Sequence, residues 1–170
     1  MSPPPRVSRV ESIRLRPVTA ADLPAMFEIQ LDPESNAMAG TKPRTREGFF
    51  AVWDRIFSDA AVRPRVIEVD GERGAEIAGS ISTFQVEGDD CIGYWIARSH
   101  WGRRIASRAL AMFLVEESRR PLHATAASNN AASRRILEKC GFELVEEKMG
   151  DETERFLGCE IAEYVLKARH

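Results

Sequence analysis

The residues from 93 to 110 have the types and spacing to bind an anion. Residues 92–96 form a short apolar and aromatic run typical of a β-strand, Gly102 marks a turn, and from Ile105 apolar residues recur at helical spacing. A helix that begins where a strand ends presents unpaired backbone N–H groups, and such groups bind phosphates. The sequence therefore predicts a phosphate site at residues 101–106. A strand-turn-helix packing unit without a ligand would show the same pattern.

A second segment places an amide and a hydroxyl one turn apart at the start of a predicted helix. Asn130 and Ser133 share one helix face, so both side chains could contact an extended, amide-bearing chain that crosses this turn. Gly141 and Phe142 follow at the helix end. The alternative is that Asn130 only caps the helix and that Ser133 faces solvent.

These two segments resemble the two signature motifs of the GCN5-related N-acetyltransferase (GNAT) family. Residues 101–106 are similar to its pyrophosphate-binding loop, and residues 130–142 are similar to the wall beside the pantetheine arm of coenzyme A. Trp101 replaces the polar residue that opens the family loop, and Arg104 replaces its central glycine. Because arginine lacks the conformational freedom of glycine, we expect the backbone of Arg104 to stay in the right-handed region.

The resemblance extends to a subgroup related to ribosomal-protein and small-amine acetyltransferases, through residues 32–38 and Trp53. It implies acetyl-CoA as co-substrate, no metal, and direct attack by a primary amine of a small molecule or of a peptide or protein N-terminus. It also implies that a backbone N–H near Trp95 or Ile96 meets the thioester oxygen. The predicted coenzyme A-binding residues are Trp95, Ile96, Arg103, Arg104, Ile105, Ala106, Ser107, Asn130 and Ser133.

The acid and the base are less well marked than the cofactor motifs. Relatives often carry a tyrosine that protonates the thiolate at the position of Leu137, so Ser133 or a bound water is the predicted acid here. His123 is the predicted base, and its alternative role is a strand histidine bonded to a neighbour. Asp90 is a third catalytic candidate, although regular pairing would turn it to the opposite face from Cys91. Glu34 and Tyr94 are weaker candidates.

The elements that must position these residues predict a mixed α/β domain. The order is β-α-α-β-β-β-α-β-α-β-β over residues 13–170, with a largely antiparallel sheet and a central parallel pair formed by residues 90–96 and 121–126. Residues 34–42 are predicted to be a flexible loop between the first two helices. Residues 1–12, which contain three consecutive prolines, are predicted to be a disordered N-terminal lead-in.

Composition limits the remaining possibilities. The chain has 170 residues and a formal net charge of −2, which argues against a general nucleic-acid surface. No apolar run has the length of a membrane span, so a cytoplasmic protein is expected. Three widely spaced cysteines are expected to be free thiols. Exposed sheet edges in such folds often pair, so a homodimer is compatible with the sequence.

Two other functions fit parts of the sequence. A domain of the same fold could hold acyl-CoA as a sensor or scaffold without catalysis, because a tyrosine at position 137 and a clear base are lacking. A nucleotide-binding α/β domain is a more remote alternative, since the chain has neither a Gly-Lys-Ser/Thr motif nor a glycine-triplet loop.

Overall fold

Seven strands form one mixed sheet in the computed structural model, which describes residues 12–168. The sheet order is β1-β2-β3-β4-β5-β7-β6, and among these neighbours only β4 and β5 run parallel. This confirms the predicted fold class and the central parallel pair. The strands are β1 (Ile13–Pro17), β2 (Arg63–Gly71), β3 (Gly74–Val86), β4 (Asp89–Ile96), β5 (Leu122–Ala127), β6 (Glu143–Met149) and β7 (Glu160–Leu166).

Helices cover both faces of the sheet. Phe27, Phe49 and Trp53 pack one face, whereas Leu110 and Phe113 pack the other. Apolar residues at helical spacing produce these buried faces. The helices are α1 (Leu23–Gln30), α2 (Pro33–Ala39), α3 (Arg46–Phe57), α4 (Ile105–Glu116) and α5 (Ala131–Lys139), and short 3₁₀ turns span Ala20–Asp22 and Arg98–His100.

The helix α2 corrects the prediction of a flexible loop at residues 34–42. Asp32 caps this helix, because its carboxylate accepts a hydrogen bond from the backbone N–H of Ser35 at 2.9 Å. Pro33 occupies the first turn, where its missing N–H is tolerated, and Gly40 ends the helix with φ +69°. The Asp-Pro pair that stops one helix therefore also starts the next.

Two predictions about the ends of the molecule remain open. The predicted lead-in over residues 1–12 falls, apart from residue 12, outside the described residues. The strands β1 and β6 are the two edges of the sheet. The homodimer that such edges suggested stays a prediction.

The parallel pair of strands diverges after a single contact. The strands β4 and β5 are paired at one position, Cys91 opposite His123. Beyond it, Ala97 donates its N–H to the carbonyl of Ala78 at 2.8 Å, toward β3. Because these groups alternate in direction along a strand, the N–H and C=O of Ile96 point into the gap on the β5 side. The sheet therefore holds an open, V-shaped gap at its centre.

A buried carboxylate beside β1 makes stability depend on acid pH. Asp22, only 7% exposed, accepts two hydrogen bonds from Arg16 at 2.9 Å and one from the N–H of Thr19 at 2.8 Å. The Arg16 guanidinium is the main cause that lowers the pKa of Asp22 to about 2. A carboxylate whose pKa is lower in the folded state stabilises the fold above its unfolded pKa, and this contribution is lost as pH falls through the folded pKa.

We therefore expect Asp22→Asn to lower the free energy of unfolding by about 2 kcal/mol at neutral pH. The difference from the unmodified protein should shrink between about pH 5 and about pH 2, measured by urea unfolding. Asp54→Asn, which changes an exposed carboxylate on α3, is the matched control. If Asp22→Asn and the unmodified protein differed in free energy of unfolding by the same amount at about pH 5 and about pH 2, this account of Asp22 would be contradicted.

Candidate active site

The V-shaped gap opens into a cleft of about 790 Å³. The end of β4 and the residues of β5 form its floor, and the starts of α4 and α5 form its two sides. Ser35 and Met38 of α2 also line it. The helix α2, which lies in the segment predicted to be a loop, is therefore part of the wall of this cleft.

The turn before α4 presents free amides to the cleft. The first backbone bond of this helix runs from the N–H of Arg108 to the carbonyl of Arg104 at 3.2 Å. The N–H groups of Ile105, Ala106 and Ser107 precede this bond, so they have no carbonyl four residues earlier within the helix. Such amides, together with the positive end of the helix dipole, suit a diphosphate. The helical start also confirms that residues 101–106 do not continue the strand.

Arg104 has a left-handed backbone, with φ +59° and ψ 22°. This corrects the expectation of a right-handed conformation. This conformation costs a residue with a side chain roughly 1–2 kcal/mol. The turn thus keeps the geometry that a glycine would take in the family loop, and an arginine adopts it.

Trp101 has a defined role in the same turn. Its indole N–H donates to the carbonyl of Ile96 at 3.0 Å, so the loop is fastened to the end of β4. This bond agrees with the direction inferred for Ile96, whose backbone groups face the gap. Trp101, the other departure from the family loop, therefore anchors the turn before α4 to the open end of β4.

Asn130 and Ser133 line the opposite side of the cleft. The Oδ1 atom of Asn130 accepts from the N–H of Ser133 at 3.2 Å, so the asparagine does cap α5, and its amide nitrogen is a further donor. The hydroxyls of Ser133 and Tyr94 lie 2.9 Å apart, and either can be the donor. Ser133 is therefore half-buried and bonded across the gap rather than a solvent-facing residue.

Tyr94 extends from β4 toward α5 across the gap. Burial raises the pKa of Tyr94 to about 12, and this effect exceeds the opposing effect of its bond to Ser133. The phenol therefore keeps its proton at neutral pH and can donate a hydrogen bond. Tyr94 lies on the same face of β4 as Ile92 and Ile96, which pack against the core under α4.

The structure brings together most of the predicted cofactor residues. Among the nine, Arg103 belongs to the same turn but is not one of the residues that line the cleft. The eight that line it are Trp95, Ile96, Arg104, Ile105, Ala106, Ser107, Asn130 and Ser133.

Two predicted catalytic residues, His123 and Asp90, are not brought to the cleft. His123 lies opposite Cys91 where the two parallel strands meet, with its Nε2 4.0 Å from Asp89. Asp90 accepts hydrogen bonds from Gln85 at 3.2 Å and from Arg119 at 3.4 Å. Both residues lie near the position where β4 and β5 are paired, at the closed end of the V-shaped gap, whereas the cleft lies at the open end of the gap. The geometry thus gives neither residue a contact with a thioester held at the open end.

Two features of the site were missed or underrated. Tyr94 was only a weak candidate, although alternation along β4 could have placed it with Ile96. His100 is buried, lines the cleft, and has an Nδ1 atom without a hydrogen-bond partner among the described residues. Its burial depends on packing after the strand, for which the sequence carries no signal.

Two negative findings concern metals and membranes. Among residues 12–168 there is no group of three or more His, Cys, Asp or Glu side chains placed to hold a metal ion. Within the same residues, none of the helices has both the length and the apolar character needed to cross a membrane.

Solved structures share this fold. Spermidine N-acetyltransferase from Vibrio cholerae, in complex with coenzyme A and spermine, has a TM-score of 0.77 at 14% identity, over 91% of this chain and 95% of that chain. RimJ from Mycobacterium smegmatis, in complex with CoA-disulfide, has a TM-score of 0.72 at 25% identity, over 94% and 83%. RimL, a ribosomal alpha-N-protein acetyltransferase in complex with coenzyme A, has a TM-score of 0.73 at 18% identity, over 92% and 94%.

Sequence comparison gives the family directly. A comparison with curated proteins gives no match. The sequence profile described as "Acetyltransferase (GNAT) domain" matches residues 12–143, which include the turn before α4 and the start of α5. That match covers well over half of the chain and contains both motifs of the cleft. The chain belongs to the GNAT family of acetyl-CoA-dependent N-acetyltransferases.

Proposed function

We propose that this protein transfers an acetyl group from acetyl-CoA to a primary amine of a small molecule or of a peptide or protein N-terminus, by direct attack. One observation carries the proposal. A single cleft joins the free amides at the start of α4 to the open end of β4, and Asn130 and Ser133 lie along its other side. A diphosphate can bind at the first of these places and a thioester at the second, while a pantetheine arm can lie along the third.

The structural relatives support the class of acceptor. The Vibrio cholerae protein is named for spermidine and was solved with spermine, and RimL is named for a ribosomal protein. Both names describe acetylation of an amine. They cover small molecules and protein N-termini alike, which is why the proposal includes both.

Three groups of this chain meet the chemical requirements. Acetyl-CoA supplies the thioester, whose carbonyl carbon is attacked by the neutral amine. The N–H of Ile96, which points into the gap, can donate to the oxygen as it gains charge. When the C–S bond breaks, the thiolate gains a proton or a hydrogen bond, and the Tyr94–Ser133 hydroxyl pair can donate one from α5's side of the gap. Amide formation releases one proton from the amine nitrogen, and this proton replaces the one that the thiolate gains, so the reaction balances.

We expect Tyr94→Phe to lower kcat by roughly 10-fold, because the pair loses one hydroxyl while the aromatic ring still fills the core. The KM for acetyl-CoA should change little, since the phosphate turn is untouched. Steady-state kinetics at neutral pH measure both constants. Tyr164→Phe, which removes a buried hydroxyl bonded to Arg134 away from the cleft, is the matched control. Equal kinetics in Tyr94→Phe and the unmodified protein would remove Tyr94 from the mechanism.

Thiol release tests the proposed function itself. Incubation with acetyl-CoA and a panel of primary amines should release thiol faster than the same mixture without amine, and mass spectrometry should show the acetylated amine. The second candidate is the non-catalytic acyl-CoA sensor, which is favoured by the missing tyrosine at Leu137. Stabilisation by coenzyme A without amine-dependent thiol release would support the sensor and overturn the enzyme.

A further inference from the structure

A second, smaller cleft of about 200 Å³ lies beside the coenzyme A cleft. Trp95 lines both clefts, and within the described part of the chain it is the only residue that they share. The walls of the smaller cleft come from α1, α3 and the connection between β6 and β7, which contributes Arg155. Since Trp95 precedes Ile96, a ligand in the smaller cleft would lie next to the open end of β4, where the thioester is expected.

The described residues that line the smaller cleft include two positive side chains and no negative one. Arg44 and Arg155 are the charged residues that line it. Among residues 12–168, neither has a carboxylate within ion-pair distance. Two half-buried cations without a counter-charge cost free energy, which an anionic ligand would recover.

The pKa values of the two arginines agree with this geometry. Burial, and secondarily the charge of Arg44, lowers the pKa of Arg155 to about 10. Burial, followed by the charge of Arg55, also lowers the pKa of Arg44. Perturbation by burial and like charge inside a cleft is typical of a binding site. Both groups remain cationic at neutral pH.

Both arginines are fixed by neighbouring groups. The backbone N–H and C=O of Arg44 are bonded to the side chain of Gln30 at 2.8 and 3.1 Å. The backbone carbonyl of Arg155 accepts a hydrogen bond from the N–H of Lys42 at 2.7 Å. The Nη1 atom of Arg155 donates a hydrogen bond to the carbonyl of Lys42. The guanidinium lies 5.8 Å from the centroid of the Trp95 ring. The backbone of Arg44 and the guanidinium of Arg155 are therefore held in place. Guanidinium groups are well suited to bind an oxyanion, which accepts several N–H bonds.

Trp95, which lines the smaller cleft, also has a donor without an acceptor. Its Nε1 atom is buried and has no hydrogen-bond partner among the described residues. A buried N–H without an acceptor costs about 1–3 kcal/mol, so such groups are normally satisfied by the protein, by water or by a ligand. The smaller cleft therefore combines two guanidinium groups with a tryptophan whose N–H has no acceptor among the described residues.

We propose that the acetyl acceptor carries an oxyanion, of the carboxylate or phosphonate type, in addition to its amine, and that Arg44 and Arg155 bind this oxyanion in the smaller cleft. The inference rests on the proposed function, because it names the class of amine. It separates this chain from the spermine-bound Vibrio cholerae protein, since a polyamine would meet two positive charges and no negative one.

The test uses matched probes. The anionic probes, which carry an oxyanion in addition to the amine, are 4-aminobutyrate and 2-aminoethylphosphonate. Each is paired with a counterpart that lacks the oxyanion, butylamine or ethylamine, and spermidine is the polycation. Calorimetry on protein saturated with coenzyme A measures binding without turnover, and thiol release measures kcat/KM. The anionic probes should bind about 10-fold or more tightly than their counterparts, the usual effect of a charge-assisted bond.

The variants Arg44→Gln and Arg155→Gln should remove this preference while their affinity for coenzyme A is unchanged, which also shows that they are folded. Arg46→Gln is the matched control, because Arg46 stacks on Phe27 and Phe50 outside the cleft, and it should keep the preference. Equal or tighter binding of butylamine, ethylamine or spermidine, failure of both anionic probes to bind, or a preference that survives both variants would overturn the inference.

The failure of the proposed function has a different signature. Anionic probes that bind through Arg44 and Arg155, without thiol release from acetyl-CoA, would leave the oxyanion site in place and reject catalysis. Thiol release with butylamine or ethylamine, but with neither anionic probe, would keep the enzyme and reject the oxyanion site. Comparison of the affinities for 4-aminobutyrate and 2-aminoethylphosphonate also shows whether the site prefers a carboxylate or a phosphonate.

Discussion

Ile96→Pro is expected to lower kcat by about 10²–10³-fold, the range seen when one donor to a developing oxyanion is removed. Proline has no backbone N–H, and the N–H of Ile96 points into the V-shaped gap rather than to β3. The ladder to β3 uses the neighbouring residue Ala97, so the strand can tolerate proline at this position. Steady-state kinetics should therefore show a large loss of kcat in a folded protein.

The matched control for this change is Ile96→Val, which keeps the backbone N–H and most of the apolar side chain. It should retain nearly all of the activity of the unmodified protein. Calorimetry should show that coenzyme A still binds Ile96→Pro, because the phosphate turn and the start of α5 are unchanged. Unaltered kcat in a folded Ile96→Pro protein would remove this N–H from the oxyanion role.

Ser107→Glu is expected to weaken coenzyme A binding by roughly 100-fold, because it places a carboxylate among the amides that face the diphosphate. Two like charges about 5 Å apart repel by about 3 kcal/mol at the effective dielectric constant of a protein surface. The same carboxylate lies in the first turn of α4, where the helix dipole favours negative charge by about 0.3–1 kcal/mol. Affinity should fall while the stability of the free protein stays equal or rises.

Ser107→Gln is the matched control, since it has the same size without the charge. Calorimetric titration with coenzyme A measures affinity, and urea unfolding measures stability. The loss in Ser107→Glu should become smaller at high salt, because salt screens the repulsion between exposed charges. Equal affinities in the Glu and Gln variants would show that the diphosphate does not lie at the start of α4.

The sequence was sufficient for the parts of the fold that depend on local patterns. Alternation gave the strands, the helix predicted between residues 96 and 122 gave the parallel pair, and the capping residues gave the start of α5. The helix α2 was missed, because residues 34–42 were interpreted as a flexible loop between the first two helices. The left-handed Arg104 was also missed, since the conformation of a turn residue follows from the packing around it rather than from its own preference.

The candidate site could be predicted only where its residues are close in sequence. The turn before α4 and the start of α5 are each continuous segments, and the structure brings both to one cleft. The pairing of Tyr94 with Ser133, and of Arg44 with Arg155, joins residues that are far apart in the chain. His123 and Asp90 were attractive by residue type, but the geometry of the diverging strands leaves them at the closed end.

A crystal structure of the protein with bound acetyl-CoA tests the central claim most directly. The predicted result places the diphosphate within hydrogen-bond distance of the N–H groups of Ile105, Ala106 and Ser107, and the acetyl oxygen beside the N–H of Ile96. An acyl carrier that lies outside the gap between β4 and β5, or one whose diphosphate contacts none of these amides, would contradict the account.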